Sequence, residues 1–144
     1  MSGLKLRQAS LSDARVLFTL RNHPQVREQS HNTEKLRFSD HQKWLENFLE
    51  DRAKCILIAE EDGYFIGMVR FEKAEDAYLM SWAISPEVQG QGFGKVVVSD
   101  AIDIMDGDVF SAEIKQNNFA SIKIAEYIGM QLIKESKGVL FYQK

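Results

Sequence analysis

The stretch Tyr78-Leu79-Met80-Ser81-Trp82-Ala83-Ile84-Ser85-Pro86-Glu87-Val88-Gln89-Gly90-Gln91-Gly92-Phe93-Gly94-Lys95 reads in order as strand, turn, glycine-rich loop and helix start. Glycines let the backbone approach an anion closely, and the first free N–H groups of the following helix then point at it. The segment therefore reads as a cradle for a pyrophosphate. The plainer reading is a glycine turn that packs a helix tightly on a sheet. Two common phosphate motifs are excluded. A P-loop needs glycine where Gln89 stands and Ser or Thr where Val96 stands, and the dinucleotide fingerprint needs glycine at Lys95.

Outward from this stretch the chain alternates between two periodicities. Leu4-Lys5-Leu6-Arg7 alternates like a short strand. Ser12 and Asp13 offer a cap, and Val16, Leu17 and Leu20 recur at helical spacing until Pro24 stops the helix. Gln25 to Arg37 is polar and reads as a functional loop. Ser39-x-x-Gln42 has the form of a capping box, and Trp44, Leu45, Phe48 and Leu49 lie along one face of a second helix. Ile56–Ala59, Phe65–Phe71 and Tyr78–Ile84 are strand-like, with the hairpin signal Asp62-Gly63 between the first two. Lys73 to Ala77 is a polar turn. A helix with Val97, Val98, Ala101, Ile102 and Met105 follows the glycines, then a strand from Val109 to Lys115. Asn117-Asn118 can cap a short helix that Gly129 ends, and Ser136-Lys137-Gly138 turns a final hairpin. The expected order is β-α-α-β-β-β-α-β-α-β-β, an α/β (α+β) mixed sheet flanked by helices.

With 144 residues and no linker or repeat, one domain over 1–144 is expected. Lys and Arg number 18 against 21 Asp and Glu, for a net charge of −3, so no basic excess exists to coat nucleic acid. The apolar runs fall far short of the roughly 20 residues that span a bilayer. The start Met1-Ser2-Gly3-Leu4-Lys5-Leu6-Arg7 has no apolar signal core, and a cytoplasmic protein without nucleic-acid or membrane partners is expected. The single cysteine, Cys55, sits in an apolar run and reads as a buried, inert thiol. His23, His31 and His41 have no partner at metal-ligand spacing, so no metal is expected.

The segment Gln89-Gly90-Gln91-Gly92-Phe93-Gly94 resembles the acetyl-CoA signature of the GNAT family of N-acetyltransferases, Gln/Arg-x-x-Gly-x-Gly/Ala, at every fixed position. The resemblance extends over nearly the whole chain, including Asn118-Phe119-Ala120-Ser121 and Gly129-Met130. It implies a GNAT-like splayed sheet with acetyl-CoA as co-substrate. The pyrophosphate would be held by backbone amides of Gln89, Gly90, Gln91, Gly92, Phe93, Gly94 and Lys95. The pantetheine would lie along Trp82, Ala83 and Ile84, with Asn118 and Ser121 on its other side. A backbone N–H at the end of that strand would steady the tetrahedral oxyanion. Exposed sheet edges in the family often pair chains, so a homodimer is compatible with it.

A finer resemblance rests on Leu20-Arg21-Asn22, Val26-Arg27, Ser30, His41, Trp44, Val69-Arg70-Phe71 and Ala120-Ser121-Ile122-Lys123. It points to acetyltransferases of nucleotide-linked amino sugars of the pseudaminic-acid type, with those acting on ribosomal-protein N-termini as the alternative. A CoA-binding module without catalysis is the reading outside the enzyme class. Arg21, Arg27 and Arg70 have the guanidinium geometry to grip a nucleotide phosphate, or are surface ion pairs. His41 and Trp44 share a helix face and serve either packing or acceptor recognition. Trp82 and Phe71 read as core.

Amine acetylation needs a group to take the amine's proton and another to protonate the departing thiolate. In some family members a glutamate at the position of Glu113 is the base; the alternative is a solvated or salt-bridged strand carboxylate. The family's usual acid is a tyrosine seven residues after the asparagine, and here that position is Ala125. Tyr127 is the nearest candidate acid, but two residues turn it about 200° around the helix. Water, Ser81 or unassisted departure of the thiolate are the other routes.

Overall fold

The unbroken apolar run Ile56–Ala59 is buried on both faces of its strand. Leu57 and Ala59 pack into one core and Ile56 and Ile58 into another, as the alternation of side chains along a strand requires. In the computed structural model, which describes residues 3–144, that strand is β2 (Lys54–Glu61), and the sheet around it has seven strands. Met1 and Ser2 of the N-terminal stretch lie outside the described residues.

Strands β1 (Leu4–Gln8), β2, β3 (Tyr64–Ala74), β4 (Ala77–Ile84), β5 (Val109–Lys115), β6 (Gln131–Ser136) and β7 (Val139–Gln143) stand in the order β1-β2-β3-β4-β5-β7-β6. Helices α1 (Ala14–Asn22), α2 (Pro24–Gln29) and α3 (Phe38–Glu50) precede β2, α4 (Phe93–Ile104) follows β4, and α5 (Phe119–Tyr127) follows β5. The expected α/β sheet with flanking helices is thus present, with one helix added. Pro24 does stop α1, but it also opens α2 from the first position, where its missing N–H costs nothing. The His23 ring Nδ1 accepts the Gln25 N–H and caps that turn. The supposed loop from Gln25 therefore begins as helix. The Ser39 capping box is also corrected. The cap lies two residues earlier, at Arg37, and α3 starts at Phe38, whose ring meets Phe18 edge-on at 5.3 Å and lies under the Arg15 guanidinium.

Asp62-Gly63 and Lys137-Gly138 turn their hairpins with two residues at positive φ each, the arrangement that matches the twist of paired strands. In β3, Ala59 pairs with Gly67 but Glu60 pairs with Phe65, so Ile66 is an extra residue. The bulge shifts the alternation. Ile66, Val69 and Phe71 join the core under α4, while Phe65 and Met68 join the one under α1 and α3.

All neighbouring strands are antiparallel except β4 and β5. These two pair in parallel only from Ala77↔Val109 to Leu79↔Ser111, and beyond that point they part. On the α4–α5 side of the sheet, Met80, Trp82 and Ile84 face Ala112 and Ile114 across the gap. By alternation Ser81, Ala83 and Glu113 face the α1–α3 side.

At the other end, β1 is clamped to the start of α1. The Arg7 guanidinium donates to both oxygens of Asp13, at 2.9 and 2.8 Å, and the Ser10 N–H donates to Asp13 Oδ2 at 2.8 Å. Asp13 is buried, and the hydrogen bonds from Arg7 hold its carboxyl below the ordinary value of 3.8. Its contribution to stability is complete above pH 3.8 and is lost as pH falls from there through the lower folded value. Asp13→Asn should lower unfolding free energy by about 1–3 kcal/mol at neutral pH. Urea titrations between pH 3 and 7 should also show a shallower acid loss in this variant than in the parent.

Candidate active site

The parting of β4 from β5 opens a cavity of about 700 Å³ that passes between the strands and is lined from both faces of the sheet. One wall is Met80–Ile84 and the other is Ala112, Glu113 and Ile114. Where β4 ends, the Ser85 N–H donates to the Ile66 carbonyl of β3. Alternation then turns the main-chain groups of Trp82 and Ile84 toward the open edge. The Ile84 carbonyl is met there by the Gln89 side-chain amide, which donates at 3.3 Å. Across the gap the Trp82 indole N–H donates to Ser121 Oγ at 3.1 Å, and Asn118 Oδ1 accepts the Ser121 N–H. These bonds set the distance between β4 and the start of α5.

At the end of β4, Gly90 and Gly92 both take φ +82°, a left-handed conformation that costs other residues roughly 1–2 kcal/mol. A Cβ at Gly90 would meet nothing within 4 Å. The turn therefore leaves an open hollow before the free amides of α4. Gly94 has a different role. A Cβ there would come 2.5 Å from Ile124 Cδ1, so its hydrogen lets α4 and α5 pack closely. The turn at Gly90 and Gly92 thus has the open backbone that a pyrophosphate cradle needs, whereas Gly94 serves the packing of α4 on α5. Phe93 turns its ring into the core while its residue still borders the cavity.

Of the residues expected at a site, the cavity brings together Trp82, Ala83, Ile84, Gln89, Gly90, Gly92, Phe93, Gly94, Lys95, Asn118, Ser121, Glu113, His41, Trp44 and Arg70. Gln91, Arg27 and Tyr127 do not line it. Tyr127 is 60% exposed, with Lys95 Nζ 5.3 Å from its ring centroid. The helix turns it away from the gap, and Ala125 is fully buried. Arg27 sits in α2 with a buried Nε that has no hydrogen-bond partner among the described residues. Trp82, expected as core, is only half-buried and borders the cavity.

The α1–α3 side supplies a charged end. Arg21, His41, Trp44 and Arg70 line it. Trp44 lies between His41 and Phe48, at ring separations of 5.4 and 5.0 Å, and Arg70 lies 5.7 Å from its ring centroid. Burial first, then the charge of Arg21, pushes the His41 pKa below 6.5. Its imidazole is therefore neutral at physiological pH, with a buried Nδ1 that has no partner among the described residues. Arg21 is partly committed to structure. It donates to the carbonyls of Asn32 and Glu34, while the Asn22 side chain donates to the Leu36 carbonyl and accepts the Leu36 N–H. The segment 30–36 is thereby laid over the cavity mouth. His31 from this segment lines the cavity with its Nε2 3.4 Å from Glu113 Oε1. The sequence reading missed this pair, since 82 positions separate the two residues and no local signal joins them. Cys55 is half-buried in β2, where burial raises its pKa; it does not line the cavity. Among the described residues there is no cluster of three metal-ligating side chains and no helix long and apolar enough to cross a membrane.

The profile of the acetyltransferase (GNAT) domain matches residues 4–131, and the chain belongs to that family. It is an acetyl-CoA-dependent N-acetyltransferase, which decides against a non-catalytic CoA-binding module. No curated protein sequence matches the chain. Several solved structures share its fold. A domain from Methanocaldococcus jannaschii aligns with a TM-score of 0.86 at 20% identity, over 98% of this chain and 97% of that one. Spermidine N-acetyltransferase from Vibrio cholerae, in complex with CoA and spermine, aligns at 0.86 and 18% identity, over 99% and 94%. Ribosomal-protein-alanine N-acetyltransferase from Brucella melitensis aligns at 0.80 and 22%, over 97% and 98%. At these identities the likeness is one of fold.

The glycine turn and the α4 amides fit a CoA pyrophosphate, because the hollow is open and the helix dipole favours anions. Gly92→Val should weaken CoA binding at least tenfold, or about 1.4 kcal/mol, as read by isothermal titration. Gly94→Val should instead lower the melting temperature, through its collision with Ile124. A folded Gly92→Val protein with parental CoA affinity would refute the cradle.

Proposed function

We propose that the enzyme acetylates the primary amine of an anionic acceptor, a nucleotide-linked amino sugar, by direct attack on acetyl-CoA in a ternary complex. The charge of the cavity carries this reading. Among the described residues that line it, Glu113 is the one carboxylate, against Arg21 and Arg70 at the α1–α3 end and Lys95 and Lys123 on α4 and α5. Burial first, then the nearby charges of Arg27 and Arg70, lowers the Arg21 pKa. Of these three only Arg70 has a carboxylate neighbour, Glu72 at 3.9 Å, among the described residues, and such a cluster suits a phosphate or pyrophosphate. The Vibrio cholerae neighbour was solved with spermine; in this cavity a polycation would meet arginines and be repelled.

In this reading the nucleotide end lies against Arg21, Arg70, His41 and Trp44, and the amine reaches the gap between β4 and β5. Glu113 takes the ammonium proton. The amine nitrogen bonds to the thioester carbonyl carbon, and a main-chain N–H of β4 steadies the oxyanion. The C–S bond breaks as the nitrogen loses its second proton, and that proton ends on the CoA sulfur through water or Ser81. Tyr127 has no part in the step.

Thiol release measured with a nucleotide-linked amino sugar, spermidine and an alanine-terminated peptide tests the acceptor. The sugar nucleotide should give the highest kcat/KM; a preference for spermidine or for the peptide would overturn the assignment. Arg70→Ala should raise the KM for the sugar nucleotide about tenfold or more, at unchanged acetyl-CoA affinity, since bonds between charged groups contribute about 1.5–3 kcal/mol. The difference should shrink at high salt. Glu113→Gln should lower kcat/KM about 10²–10⁴-fold while CoA still binds.

A further inference from the structure

Glu113 is one-third exposed, at 34%, and His31 is the more exposed partner at 64%. A carboxylate that takes a proton inside a filled cleft must pass it on before the next turnover. His31 Nε2 lies 3.4 Å from Glu113 Oε1 and belongs to the more exposed side chain, so it offers that proton a way to bulk water. The imidazole is the side chain suited to this step, because one nitrogen can accept a proton while the other releases one.

The placement of His31 is held from several sides. Arg21 donates to the Asn32 carbonyl at 2.7 Å, directly beyond His31, and Ser30 Oγ donates to the Val26 carbonyl at 3.0 Å, directly before it. Lys115, two residues after Glu113 on the same face of β5, donates to the Glu28 carbonyl at 2.9 Å. The segment that carries His31 is thus tied to the strand that carries Glu113 by a second bond, independent of the pair itself. A histidine merely free on a surface loop would need no such ties.

We infer that His31 is a proton relay for the acetyl transfer, carrying the amine's proton from Glu113 to solvent. This rests on the reading of Glu113 as the proton acceptor. The ammonium proton moves to Glu113 and then to His31 Nε2 in the tautomer that carries its proton on Nδ1, while that Nδ1 proton leaves to water. Tautomer exchange through solvent restores the starting state, so each cycle releases one proton and needs no other co-reactant. His31 touches Glu113 rather than the reacting atoms, and in that sense it is a positioning and relay residue.

The test compares His31→Ala, His31→Gln and Glu113→Gln in the thiol-release assay, each with and without added imidazole. His31→Gln keeps an N–H that can hold Glu113 and the segment in place, but it cannot carry a proton. Both His31 variants should therefore lose about 10²-fold in kcat/KM, with acetyl-CoA affinity unchanged. Imidazole should restore much of the activity of His31→Ala and none of that of Glu113→Gln. A fast His31→Gln beside a slow Glu113→Gln would mean the contact is only structural and would overturn the relay. Failure of imidazole to restore His31→Ala would overturn it as well. A fully active Glu113→Gln would instead remove the carboxylate base, and the relay with it.

Discussion

Three residue pairs join β4 to β5, and the separation of these strands beyond Leu79 and Ser111 is the constraint on which the site depends. Strands in a sheet sit about 4.8 Å apart when paired, a spacing that leaves no room for a ligand. By ending the pairing early, the fold opens a passage from one face of the sheet to the other. It also leaves main-chain groups of β4 without a strand partner. Buried groups of this kind need other partners. The Gln89 amide supplies one at the Ile84 carbonyl, and an extended ligand arm can supply the rest. The Trp82–Ser121 hydrogen bond keeps the gap from closing or widening.

Because the passage crosses the sheet, its two ends have different chemistry. The end under α4 and α5 has the glycine turn, the free helix amides and a mostly apolar wall. The end under α1–α3 holds arginines, a neutral buried histidine and an aromatic ledge. Their meeting point lies beside Glu113. A reaction that joins an anionic cofactor arm to a second, separately bound molecule fits this arrangement, with each ligand entering from its own face.

The regular elements were legible where a local rule acts alone. Asp62-Gly63 marks its hairpin, since both positions need positive φ. The glycine-rich stretch marks the start of α4, and Asn118 caps α5 as its side chain allows. The misreadings lie where two rules compete. Pro24 ends one helix and begins the next, because the same ring that blocks a helix interior suits its first turn. Ser39 was available as a cap, but α3 starts where the half-buried Phe38 packs against Phe18.

Sequence by itself determined the fold class and the place of the hairpins and of the glycine-rich turn, because turn chemistry and residue periodicity act over a few neighbouring positions, while Glu113 was singled out by resemblance to the family. The sequence also showed that Tyr127 lies about 200° around the helix from Ala125, a rotation that the structure turns into exposure outside the cavity. Only the tertiary structure decided that His31 meets Glu113, that Arg21 holds the segment over the cavity mouth, and that Arg27 stays out of the lining. Those outcomes depend on where segments far apart in the chain come to rest. Packing of two cores on opposite faces of one sheet sets that, and no short stretch of sequence encodes it.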